Sequence, residues 1–169
     1  MNTEPATPPF HEPRLSRELR ALLASQRVAS LGTLNNEGKP FVSMVPFAVE
    51  PDSAILVIHV SQLAPHTGFL LRNPAVSVMV MQAEVAGAPV HALPRISFDG
   101  VATRLEPGTS AWQAARSAYL ARFPEAEPMT QLGDFSFVGI RVTQARQVAG
   151  FGAARSLASD EISSVLRPL

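Results

Sequence analysis

Apolar side chains follow two different periods along this chain, and each change of period marks a new element. Leu15, Leu19, Leu22 and Leu23 fall at i, i+4, i+7 and i+8, one stripe of a helix over about 14–26. Arg14, Arg17, Glu18 and Arg20 lie on or beside its outer face. Over 28–34 the period drops towards two, and Asn35-Asn36-Glu37-Gly38 reads as a turn. Residues 40–49, rich in Val, Phe and Met, and the strongly apolar 54–60 complete an antiparallel meander of three strands. Pro46 removes a ladder donor from the second strand, which points to a sheet edge, a bulge or a barrel corner. A short helix over 64–72 stops at Asn73-Pro74. Strands follow at 76–81 and 93–105, then a helix over about 108–122 that buries Trp112, Ala115, Tyr119 and Leu120. Residues 135–142 alternate well, and 148–151 read as a last short strand. Residues 1–13, with four prolines, read as a flexible tail, 14–157 as the domain and 158–169 as a C-terminal tail. Neighbouring strands joined by turns, without a βαβ repeat, predict a mainly β (α+β) fold, a closed antiparallel barrel with flanking helices.

Composition narrows the chemistry. The chain has 169 residues, enough for one domain with a sizeable core, and 46% of them are apolar. Formal net charge is zero, so nucleic acid is not expected as a partner. Cysteine is absent, which removes disulfides and thiolate chemistry together. No cationic start leads into an apolar run, and no stretch approaches the roughly 18 apolar residues of a membrane helix. A cytoplasmic protein without membrane contact is the default expectation. The histidines are His11, His59, His66 and His91, and none pairs with another at metal spacing, so no metal site is expected. No nucleotide loop or nucleophile elbow occurs, and no catalytic acid or base can be named; a cofactor is expected to carry any chemistry. One segment is more informative. The apolar strand ending at Ser61 feeds a helix whose first turn holds His66 and Thr67, an arrangement suited to a phosphate, although Ser61 would serve equally as an ordinary cap. His59, inside an apolar strand, reads as a packed histidine, and Arg95 beside Pro94 has few packing reasons to be where it is.

Several short segments together resemble one family. They are 29–34 (Ala-Ser-Leu-Gly-Thr-Leu), 38–48, Ser61-Gln62-Leu63-Ala64 with His66-Thr67, Leu93-Pro94-Arg95-Ile96, 119–124 and Gly150-Phe151-Gly152. In this order and spacing they resemble the FMN-binding split-barrel superfamily typified by pyridoxamine 5′-phosphate oxidase, close to its haem-utilisation (HugZ-like) branch. The resemblance covers about 20–157. It implies a homodimer with FMN in the cleft between subunits and an oxidoreductase that passes hydride or electrons between the flavin and a small-molecule substrate or electron donor. Ser43, Met44, Val45 and Pro46 would then run along the flavin, largely through backbone. Ser61, Gln62, His66 and Thr67 would lie about its phosphate, and Arg95 would reach in from the partner subunit. The chain departs from the oxidase pattern at Ser43 (Arg there), Ala48 (Lys) and His66-Thr67 (Arg-Lys), which removes cations from the phosphate. The oxidase's C-terminal substrate segment is missing too, so pyridoxamine phosphate is not the expected substrate. The alternatives are haem, a deazaflavin such as F420, or a barrel that has lost its cofactor and serves as an interaction module. For haem, an Arg commonly follows the Gly-Phe-Gly segment directly; Ala153 holds that place here, with Arg155 two residues later, and no His lies beyond His91.

Overall fold

The computed structural model describes residues 12–167. Seven strands form one antiparallel sheet: β1 (Val28–Leu34), β2 (Pro40–Glu50), β3 (Ile55–Ser61), β4 (Ala75–Met81), β5 (Arg95–Arg104), β6 (Phe135–Val148) and β7 (Ala154–Leu157). Their order is β3-β2-β1-β4-β5-β6-β7, and an additional β3–β6 pairing closes the first six into a barrel. The helices are α1 (Arg14–Ser25), α2 (Pro65–Arg72), α3 (Ser110–Arg122) and α4 (Ser159–Leu166), with a 3-10 helix at Pro124–Gln131. The expected split-barrel architecture is therefore the one found.

Alternation places the core. Ala29 and Leu31 of β1, Val76, Val78 and Val80 of β4, and Ile96 and Phe98 of β5 point inward and are buried, while their neighbours face out. A second, smaller cluster lies under α3, where Tyr119 and Phe123 pack on Phe137, Val57 and Ala48. Gly100 sits at the register shift of β5, where a Cβ would lie 2.7 Å from the Arg141 carbonyl oxygen; only glycine lets the two backbones approach this closely. Pro46 occupies a corner. It is the last β2 residue opposite β1, across from Val28, and from Phe47 onwards β2 pairs with β3 instead. Its missing N–H falls where the strand changes partners.

Three expectations need correction. β6 runs to Val148 rather than 142; its second half carries Thr143, Gln144 and Arg146, so polarity hides a strand that is half exposed. Residues 149–153 are a turn, and the last strand is β7 at 154–157. The segment 158–169 is not a tail as far as it is described: Ile162, Val165 and Leu166 of α4 fall at i, i+3 and i+4 and are buried in the main core. Of the expected N-terminal tail, 1–11 lie outside the described residues. Pro13 already accepts from the Ser16 and Arg17 amides, and Glu12 pairs with Arg20 at 2.6 Å. Arg20 also donates to the carbonyls of Ser164, Val165 and Arg167 at the end of α4, and Arg122 donates to those of Leu23, Ala24 and Gln26 at the end of α1. Both helix C-termini are thus closed by guanidinium groups, as the orphan carbonyls and the helix dipole favour.

Candidate functional site

The register of β2, β1, β4 and β5 fixes what their outward side chains form. Ser30 stands between Met44 and Met79, and Met79 opposite Ser97. One step along, Val28 is opposite Pro46, Met81 is opposite Arg95, and continuing the β1–β4 register sets Val28 beside Met81. One step the other way, Gly32 stands between Val42 and Ser77, and Ser77 pairs with Asp99. These three rows make an open sheet face of apolar and small residues. Val42 and Met44 are 67% and 65% exposed, which is far from ordinary for adjacent apolar positions of one strand. Arg95 lies on its rim, three strand spacings (roughly 14 Å) from Pro46 in the same row. Its Nη1 donates to the Leu93 carbonyl at 3.1 Å, and among the described residues no carboxylate pairs with it. At the opposite edge Asp99 accepts from Ser77 Oγ at 2.6 Å.

The expected flavin residues divide by parity. Met44 and Pro46 face outward. Val45 is buried in the core, and Ser43 faces inward with its Oγ buried and unpartnered. Ser61, Gln62, His66 and Thr67 do come together, at the end of β3 and the start of α2, and continuing the β2–β3 register sets Met44 abreast of Ser61. The hydroxyls of Ser61 and Thr67, however, are committed to the fold. Thr67 is buried, and its hydroxyl donates to the Ser61 carbonyl at 2.6 Å. Ser61 Oγ donates to Asp134 Oδ2 at 3.0 Å and accepts from the Leu63 amide at 3.1 Å. The Gln62 amide donates to the Asp134 carbonyl at 2.7 Å. Burial lowers the His66 pKa below its ordinary 6.5, so the imidazole is neutral near neutral pH. A phosphate placed here meets a carboxylate and no cation from these residues; the group does not fit a phosphate dianion well. Asp134, in the loop before β6, escaped the sequence reading because only the fold sets it beside Ser61. Val28, Met79 and Met81 escaped it as well, since they join the face only through strand order.

Other candidates resolve into structural roles. His59 is caged by aromatic rings, with Phe137 and Phe135 centroids 4.4 and 5.0 Å away. Arg155 turns inward, donating from Nε to Gln147 Oε1 at 2.9 Å and from Nη1 to Glu161 Oε1 at 2.5 Å. Phe151 is 87% exposed at the tip of the β6–β7 turn, between Gly150 and Gly152, both with positive φ. A cleft of about 660 Å³ between α1 and the 82–94 loop, touching Leu22, Val85, Pro94 and Val148, contains none of the expected site residues. No helix among the described residues is long and apolar enough to cross a membrane.

Known proteins share this fold. The chain is 29% identical over 150 residues to the heme oxygenase HutZ of Vibrio cholerae, covering 88% of this chain and 84% of that protein. It is 35% identical over 160 residues to the chloroplastic heme oxygenase HOZ of Arabidopsis thaliana, covering 90% of this chain but only 47% of that one. The structure of a heme binding protein from Mycobacterium smegmatis superposes with a TM-score of 0.80 at 30% identity, over 92% of this chain and 62% of the other. The chain thus spans about half to two thirds of two of these relatives. The model of the pyridoxamine 5′-phosphate oxidase family matches residues 15–149, most of the barrel with its open face, and the chain belongs to that family.

Proposed function

We propose that this protein binds haem against its open sheet face, as a homodimer in which a second copy closes over the macrocycle, and that haem is its cargo or its substrate. The observation that carries this reading is the face itself: Val28, Val42, Met44, Met79 and Met81 offer a broad apolar surface, with Arg95 on the rim for a carboxylate. Relatives named for haem support it at 29 and 35% identity. The residues of the chain bind and orient the ring in this reading, while iron and dioxygen chemistry comes with the haem.

The flavin reading rests on the family and on the grouping of Ser61, Gln62, His66 and Thr67. It is the weaker of the two, because the Asp134 carboxylate stands beside Ser61 and the two hydroxyls already have acceptors. The test is a pair of absorption titrations of the cofactor-free protein, one with haemin and one with FMN. A Soret band saturating at a fixed stoichiometry, with no change in the flavin spectrum, is the expected result. Tight FMN binding with quenched fluorescence and no haemin binding would return the protein to the flavin oxidoreductases.

A further inference from the structure

We infer that the open face recognises the tetrapyrrole ring rather than its metal, so that a metal-free porphyrin binds nearly as well as haem. This rests on the haem reading above and goes beyond it.

The face offers an iron no imidazole, thiolate or phenolate. Its outward positions come from β2, β1, β4 and β5, and the register assigns them: none is histidine, cysteine or tyrosine. Asp99 is the single carboxylate, it stands at the edge, and it already accepts from Ser77 Oγ. The thioethers of Met44, Met79 and Met81 are the remaining groups that could face an iron. In haem proteins a thioether ligand typically accompanies a histidine, and no histidine stands on these strands. The described histidines lie elsewhere. His59 is shut inside the cage of Phe135, Phe137 and Tyr119. His66 is half-buried in the first turn of α2, and His91 is exposed in the 82–94 loop.

What the face does have suits a flat ring. Ser30 and Gly32 leave the middle strand low between Met44 and Met79 and between Val42 and Ser77, a shallow trough walled by flexible side chains. Methionine adapts its shape to the surface laid on it, and its contacts with an aromatic ring are favourable. Arg95 has donors to spare after its single bond to Leu93, and the acid side chains of a porphyrin are the same with or without iron. Each of these contacts is to the ring or its edge, and none requires a metal at its centre.

The test compares haemin with protoporphyrin IX on the full chain, by absorption for the first and fluorescence anisotropy for the second. Expected are dissociation constants within about tenfold of each other, a difference of about 1.4 kcal/mol. Haemin binding with protoporphyrin weaker by about a hundredfold or more (roughly 2.7 kcal/mol) would overturn the inference and leave the haem reading standing. Failure of both ligands to bind would overturn the haem reading itself. Two variants place the binding on this face. Ser30→Phe fills the trough and should weaken both ligands at least tenfold; Arg95→Gln, on the rim and outside the core, should weaken both by the same factor. His91→Ala should leave haemin affinity unchanged. A tenfold loss for haemin alone in that variant would assign the iron a ligand and overturn the inference.

Discussion

Arg155 holds four elements together with one guanidinium. It reaches Gln147 on β6 and Glu161 on α4, and Glu161 Oε1 also accepts from Ser16 Oγ of α1 at 2.8 Å. Gln147 in turn donates to the Leu15 carbonyl, and both Ser16 and Gln147 are buried. Removing the guanidinium leaves acceptors partly buried and unpaired, so Arg155→Met should cost about 1–3 kcal/mol, or several degrees in melting temperature. Haemin affinity should not change, because the side chain faces away from the open sheet. A loss of affinity without loss of stability would return Arg155 to the binding site. His59 makes a different prediction. Burial among three rings pulls its pKa from 6.5 down to about 4, and Nδ1 has no partner to relieve the charged form. Its folded pKa is the lower one, so the unfolded chain takes up a proton first as pH falls. The stability is fully present above pH 6.5, declines down to about pH 4 by up to roughly 3 kcal/mol, and then levels as the folded form protonates. Glu50 and Glu125, held below the ordinary carboxylate range by their hydrogen bonds, act at lower pH. Denaturant unfolding near pH 7 and near pH 5 should therefore differ for the native chain and far less for His59→Phe; an equal drop in both would remove His59 as the cause.

At the scale of the element, α4 carries the clearest test. Ending the chain after Leu157 exposes the surface now covered by Ile162, Val165 and Leu166 and strips Arg20 of its carbonyl acceptors. Burial of three such side chains is worth about 4–8 kcal/mol as an upper figure, comparable with the whole stability of a domain. The truncated chain should melt more than about 10 °C lower or fail to fold. A melting temperature within a few degrees of the native value would show the helix to be an ornament. This helix also marks where sequence reasoning loses its grip. Strands β1, β4 and β5 were legible because one face of each is buried and the other open, so their alternation survives in the residues, and β3, buried on both faces, was legible as a continuous apolar run. In β6 the second half pairs with β7 at its edge and alternates only loosely in burial, and polar residues interrupt the apolar pattern. In α4 eight residues offer too few turns for a period to stand out. The candidate site divides in the same way. The local grouping of Ser61, His66 and Thr67 could be read from a strand running into a helix. The face could not, because Val28, Met44 and Met81 become neighbours only when β4 pairs with β1 across more than forty residues of chain.

For the molecule as a whole, the open face is the unsettled surface. A chain with zero net charge has no long-range repulsion to keep copies apart, and apolar side chains as exposed as Val42 and Met44 lose contact with water only by meeting another surface. The homodimer proposed above supplies that surface by pairing the face with its own copy, which a two-fold axis permits. Met44→Asp places a charge in the middle of the apolar row while pointing away from the barrel core, so the fold should persist and the association should not. Sedimentation velocity across a hundredfold dilution should then find the native chain as a dimer and the variant as a monomer with the same melting temperature at low concentration. Haemin affinity should fall at least tenfold in the variant, since the ring loses both the cover of the second copy and the thioether beneath it. If the variant remains a dimer, the interface lies elsewhere on the barrel. If the native chain is a monomer yet still takes up haemin, the face binds the ring unaided and the second copy has no part in the site.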